Sequence, residues 1–343
     1  MQLSIRNLRI IDIDFCNNGN QGLSNKLIYL SGIIRYCIKH PEVHLVEPKF
    51  YIGTKHHTTN EKGILFSEIF DISYFNKKMG NLFQLIPRKD IDTQSLNVEY
   101  LSHHYANEYG WSVEHEDYMN ICCEYQMVSI QDNILLKVLD SLKLTDENTL
   151  ILNEIMEKLG DNYTAIHMRT ENDWPANWND GYLTNEKLVQ LYKNSDIFNN
   201  KSNNNSNTNV FFSTGENQNE IQQLFNNINI KAYSYYDDTK LYDLKTAISY
   251  MVCLHSNTFI SHPYSTFSSL ITMQRELMPI ELTTAKERSC LDAMKFVKRL
   301  SYSYNYNSIY KRLDKGINYI KPIHTGKNAS NIVTLVSIVS VIN

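Results

Sequence analysis

Residues 241–277 read LYDLKTAISYMVCLHSNTFISHPYSTFSSLITMQREL. Apolar residues fill the first sixteen positions at helical spacing, TFIS (258–261) is a short apolar strand, and a second helix starts at about Ser265 after a His-Pro-Tyr turn. The same alternation runs back along the chain. TAIHM (164–168), NVFFST (209–214) and IKAYS (230–234) read as strands, while TNEKLVQLYKN (184–194) and NEIQQLFNNI (219–228) read as helices. Short apolar strands that alternate with helices of this length form parallel βαβ units, so the second half is expected to be a doubly wound α/β sheet.

The front of the chain opens in the same way. LSIRNLRIIDIDF (3–15) is a strand, CNNGNQGLSN (16–25) is a turn-forming run with two glycines, and Leu23, Leu27, Leu30 and Ile34 keep helical spacing until Pro41. VHLVEPKFYIG (43–53) is expected to be the next strand, and residues 55 to 140 carry signals for several short elements. A length of 343 residues suits two domains of roughly 150 residues each. The expected division is 1–155, 156–300, and a Tyr-rich segment with an apolar tail over 301–343. The Asn-rich tract 199–209 has no apolar period and reads as a solvated loop expansion.

Composition narrows the partners. A net charge of -4 and a pI near 6.3 give no broad basic field for nucleic acid or an anionic membrane, so an anionic ligand needs a local pocket. The 42% hydrophobic content and mean hydropathy of -0.39 are ordinary globular values. No run of about 18 apolar residues occurs and the first residues lack a basic-then-apolar leader pattern, which leads to the expectation of a cytoplasmic protein without a membrane span. The six cysteines, at 16, 37, 122, 123, 253 and 290, show no zinc spacing and are expected as free, mostly buried thiols.

Three places can carry chemistry. Arg169 follows the strand TAIHM, and ligands of doubly wound sheets bind beyond the carboxyl ends of the strands. Its guanidinium suits a phosphate or pyrophosphate, and Asp173 could anchor it or bind a sugar or base hydroxyl; a surface Arg–Asp pair is the plainer alternative. At SHPYSTFSSL, helix N–H groups and the Ser265 and Thr266 hydroxyls are expected to point outwards and form an anion site, with simple helix capping as the alternative. In NGNQGLSNKL, Gly19 and Gly22 permit close backbone approach and Asn25 offers an amide from the first helical turn. A rival reading takes Asp12 and Asp14 as a metal-binding Asp-x-Asp against a nucleotide diphosphate, although only about eleven residues precede it. The pairs His56-His57 and His103-His104 and the acids of VEHEDY lack ligand spacing, and no dinucleotide fingerprint, phosphate loop or GxSxG elbow is present.

Taken in order, these elements resemble the GDP-fucose protein O-fucosyltransferase family. GNQGLSNKL is similar to its first motif, His167-Met168-Arg169 with Asp173-Trp174 to its second, and TAISYMVCLHSNTFISHPYSTFSSLITMQRE to its third. The family usually has acidic residues where this chain has Ser249 and Asn257, and Gly-Asn at Ser261-His262, departures that bear on the donor's base and sugar. The resemblance implies a GT-B enzyme with two Rossmann-like doubly wound domains facing across a cleft. It further implies a metal-independent, inverting transfer of fucose from GDP-fucose to a hydroxyl of a glycan or protein. Arg169 would meet the diphosphate, and Gly19, Gly22, Asn25, His167, Asp173, Ser265, Thr266 and Phe267 would bind the donor. Asp14 is the candidate base. No metal or other cofactor is expected. A transferase using UDP- or dTDP-rhamnose, or a non-catalytic nucleotide-sugar-binding protein, are the alternatives.

Overall fold

The computed structural model describes residues 9–15, 22–50, 63–91, 97–102, 133–168, 184–193, 209–260, 265–277, 323–324 and 334–335. The chain divides into two compact units. The first is Met1–Leu150 with Asp238–Ile248, and the second is Ile151–Asp237 with Ser249–Asn343.

The first unit is built on β1 (Arg9–Phe15), which pairs in parallel with β2 (Val43–Val46), with β3 (Lys49–Phe50) and with β6 (Asn97–Ser102). β4 (Ile64–Leu65) runs antiparallel on β3, and β5 (Leu85–Ile86) is parallel to β2. Helix α1 (Leu23–Lys39) follows β1 and buries Leu23, Leu27, Leu30 and Ile34, the stripe that the spacing predicts, together with Ile33 and Cys37. Each such side chain contributes about 1.5–3 kcal/mol through burial. The chain then forms α2 (Phe66–Ile69), α3 (Ile72–Met79), α4 (Asn133–Asp140) and α5 (Asp146–Leu159).

The stretch 43–53 is not one strand. Val43 stands opposite Arg9 and Lys49 opposite Asp14, so six steps of this segment span five of β1. The extra residue is absorbed at Glu47-Pro48. Pro48 has no N–H for a ladder, and its carbonyl accepts from Phe66 N instead. Glu47 is buried, and its two carboxylate oxygens accept from Ser67 N at 3.0 Å and Arg88 N at 2.8 Å. A buried carboxylate on two backbone donors costs far less than an unpaired one.

The second unit carries a fully parallel four-stranded sheet in the order β10-β7-β8-β9. Its strands are β7 (Tyr163–His167), β8 (Asn209–Ser213), β9 (Ala232–Tyr233) and β10 (Thr258–Ile260). Between them lie α6 (Asn185–Lys193), α7 (Gln218–Asn227) and α8 (Tyr242–His255), and α9 (Thr266–Leu277) follows β10. One face of the sheet packs Ile166, Val210 and Phe212 against Leu188 of α6 and Phe225 of α7. On the other face the Tyr163 hydroxyl donates to the Val252 carbonyl of α8, and His167 meets α9. Helices therefore cover both faces, and all five residues of β7 are buried, as expected of a parallel strand at the centre of a doubly wound sheet. Gly160 closes α5 at φ +71, a left-handed conformation that glycine adopts without strain, and its N–H donates to Met156.

Asn209 ends the Asn-rich tract as the first residue of β8, its side-chain amide donating to the Leu159 carbonyl at 2.8 Å; residues 199–208 lie outside the described residues. Within the tail, β12 (Thr334–Leu335) pairs antiparallel with β11 (Ile323–His324) and lies against α9. No helix among the described residues is long and apolar enough to cross a membrane. Cys37 and Cys253 are free and buried, as expected from the sequence.

Candidate functional site

Strand order locates the site of the second unit. From β7 the chain moves outward through β8 and β9, then returns to add β10 on the other side of β7. Connections leave β7 and β10 in opposite directions, and the crevice at the carboxyl ends of two such strands is where open α/β sheets bind ligands. β7 ends there with His167, and α9 begins there after Ser265.

The side chains at this edge hold one another. His167 is buried, and its Nδ1 lies 2.8 Å from Ser268 Oγ in the first turn of α9. The imidazole packs on the Phe267 ring, with centroids 4.7 Å apart. Phe267 in turn meets the Tyr250 ring edge-on at 5.7 Å and 90°, and the Tyr250 hydroxyl donates to Gln274 Oε1 at 2.9 Å. Ser265 is nearly enclosed, with 9% exposure, rather than turned out to solvent as the sequence suggests. Three sequence-predicted residues, His167, Ser265 and Phe267, thus gather at one strand edge, and Thr266 opens α9 beside them. Arg169 and Asp173 lie outside the described residues, as does Gly19.

The opposite end of the same sheet has a different character. Asn257 Oδ1 accepts from Tyr163 N at 2.9 Å and Asn257 N donates to the Tyr163 carbonyl at 3.1 Å, clamping the amino ends of β7 and β10. Arg275 Nη1 lies 3.1, 2.8 and 2.7 Å from the carbonyls of Cys253, Leu254 and Ser256, capping the C-terminus of α8. The departure from the family pattern at Asn257 therefore lies at the amino end of the strands, away from the ligand edge. Its side chain serves strand pairing there.

In the first unit the corresponding switch lies between β1 and β6. Asp14 is near the carboxyl end of β1, opposite Lys49 on one side and Ser102 on the other, and Asp12 is further inside the strand, opposite Tyr100. Gly22 is the N-cap of α1 and Asn25 lies in its first turn. Gly22 has φ -67, open to any residue, and a Cβ there would meet nothing within 4 Å. Packing against the described residues does not require glycine at this position. The first turn of α1 has no acidic residue and no side-chain cap, which leaves its positive dipole end uncompensated from within the helix.

Sequence reasoning did not single out Lys26. It stands on the apolar stripe between Leu23 and Leu27, almost fully buried, with its ammonium 2.7 Å from Asp243 Oδ2 and 5.9 Å from the Phe50 ring centroid. Burial pushes the lysine pKa down and the Asp243 pKa up, and their mutual attraction opposes both shifts. Asp243 Oδ1 has no hydrogen-bond partner among the described residues. A lysine inside a hydrophobic helical period was the available sign of a buried partner, and the partner itself, 217 residues away, left none. Ser268, Tyr250 and Gln274 were missed because their contacts are tertiary.

The profile of the GDP-fucose protein O-fucosyltransferase family matches residues 32–278. The chain belongs to that family. It is accordingly a glycosyltransferase by family, and no curated protein matches it directly. Among solved structures, POFUT1 in complex with GDP-fucose aligns with TM-score 0.51 at 13% identity, covering 80% of this chain and 95% of that one. The apo form of POFUT1 gives 0.51 at 11% identity, covering 80% and 97%. The fucosyltransferase NodZ from Bradyrhizobium gives 0.42 at 13% identity, covering 80% and 94%. The POFUT1 likeness is one of fold: this O-fucosyltransferase-family chain has the GT-B architecture, with a doubly wound α/β sheet in each unit.

Proposed function

We propose that the protein transfers fucose from GDP-fucose to a hydroxyl group of a glycan or protein, inverting the sugar carbon and using no metal. The observation that carries this reading is the switch-point edge of β7 and β10, where His167, Ser265 and Phe267 converge in a chain of the O-fucosyltransferase family.

In the reaction the bond from the sugar carbon to the β-phosphate oxygen breaks, and the acceptor oxygen bonds to that carbon from the opposite face. The transition state resembles an oxocarbenium ion, and negative charge grows on the leaving GDP. Arg169, two residues beyond His167, and the N-terminus of α9 at Ser265 and Thr266 stabilise that charge. His167, Phe267 and Asp173 hold the nucleoside or orient Arg169. Gly19, Gly22 and Asn25 of the first motif are further candidates for donor binding. The acceptor proton passes to a carboxylate, for which Asp14 at the edge of β1 is the candidate.

A thermal-shift series against GDP, GDP-fucose, UDP, dTDP and UDP-rhamnose, with EDTA or Mn²⁺, tests the donor. A ligand bound only by the native state raises the melting temperature. GDP and GDP-fucose alone are expected to do so, equally in EDTA. A shift with UDP or dTDP instead moves the donor to another deoxysugar nucleotide, and a shift only with Mn²⁺ overturns metal independence.

A further inference from the structure

We propose that Asp243 is a positioning residue for the start of α1, and so for the nucleotide-sugar donor, acting through the buried Lys26 ammonium. It rests on the reading of the first motif as donor-binding, and adds to it a residue that neither the family motifs nor the sequence pattern pointed to.

Lys26 and Asp243 both belong to the first unit, and both are almost fully enclosed, with 2% and 1% exposure. α1 has little of its own to fix its first turn. Its N-cap is a glycine with no side chain to offer, no acidic residue follows in that turn, and the bond from Lys26 N to the Gly22 carbonyl is long at 3.4 Å. Leu23 and Leu27 press the turn into the core, but apolar contacts are non-directional and do not set how far the helix start is advanced or rotated. The 2.7 Å bond from Lys26 Nζ to Asp243 Oδ2 does, because a charge-assisted bond has a defined length and direction. Asp243 stands in the first turn of α8, whose positive end favours the ionised carboxylate. Stability alone does not account for the pair. A buried ion pair offsets its desolvation only when its remaining lone pairs are met, and Asp243 Oδ1 is enclosed without a hydrogen-bond partner among the described residues. An apolar pair of similar volume would pack beside Leu23 and Leu27 without that cost. The helix start that this bond fixes carries Gly22 and Asn25, the first-motif candidates for the donor.

The test compares wild type, Asp243→Asn and the double variant Lys26→Met/Asp243→Leu, in which the pair becomes apolar. Melting reports stability, amide hydrogen exchange of a peptide spanning Gly22 to Leu30 reports the start of α1, and calorimetric titration reports GDP affinity. The double variant is expected to melt close to wild type or above it. Its helix start should nonetheless exchange about tenfold faster, with GDP affinity weakened about tenfold. Asp243→Asn, which keeps an acceptor of the same shape but not the charge, is expected to move both readings in the same direction by less. Unchanged exchange in both variants overturns the proposal, as does unaltered GDP affinity where exchange has quickened. A double variant that fails to fold, or melts far below wild type, also overturns it, since the pair then serves the core. Should wild type bind no GDP while exchange still quickens in the double variant, the hold of Asp243 on the helix start stands and the donor reading has failed.

Discussion

The two ends of the sheet in the second unit differ in what their polar side chains are attached to. At the amino end, Asn257 bonds the backbone of Tyr163, and Arg275 bonds the carbonyls that end α8 together with the Ser256 hydroxyl. At the carboxyl end, the His167 imidazole is attached to the Ser268 hydroxyl and packs on the Phe267 ring. Backbone attachments secure the strands and helices themselves. A bond between two side chains can be removed with the strand ladder left in place. Loss of function is therefore expected to separate from loss of stability along the length of β7 and β10.

The largest separation is expected for Arg169→Ala, at the carboxyl end. Release of GDP from GDP-fucose should fall by roughly a hundredfold or more, as for other charge-stabilising contacts, with the melting curve unmoved; near wild-type turnover would remove Arg169 from the mechanism. Arg275→Ala should do the reverse. Removing a charged donor from the carbonyls that end α8 is expected to cost about 2–3 kcal/mol in denaturant unfolding, while the folded fraction binds GDP as before. A large change in GDP affinity would break the contrast between the two ends. Asn257→Ala should destabilise by about 1–2 kcal/mol by leaving Tyr163 N without its acceptor. Asn257→Asp retains an acceptor oxygen, and a cost within about 1 kcal/mol with unchanged donor preference is expected. A switch of nucleotide preference in that variant would return position 257 to the ligand site. The smallest effect is chemical: burial pushes the Cys37 thiol up to about 12 and raises that of Cys253 further. Both should stay unlabelled by a maleimide at pH 8 in peptide-resolved mass spectrometry, since the thiolate is the reacting form. Labelling of Cys253, but not Cys37, should quicken in Arg275→Ala as the end of α8 loosens.

Much of the fold was legible because parallel βαβ units announce themselves through period. Ile166, Val210 and Phe212 stand in short apolar runs, and Leu23, Leu27, Leu30 and Ile34 keep a helical stripe; all are buried. The broken strand at Glu47-Pro48 was less visible, since the bulge is defined by its register against β1. His167, Ser265 and Phe267 could be placed from sequence because each adjoins a strand end or helix start, where chain direction alone fixes position. Ser268 and the Lys26–Asp243 pair could not, because their partners lie 101 and 217 residues away. The pairing role of Asn257 was not visible for a related reason: it depends on which end of β10 the residue occupies, and a comparison of motifs carries no such direction.

The most direct test of the account is calorimetric titration of GDP, in EDTA, into wild type, Arg169→Ala and Asn257→Ala. Metal-free binding by wild type and Asn257→Ala, with binding lost in Arg169→Ala, is the predicted result. Binding that survives in Arg169→Ala and fails in Asn257→Ala, or that appears only when a divalent cation is restored, would contradict it.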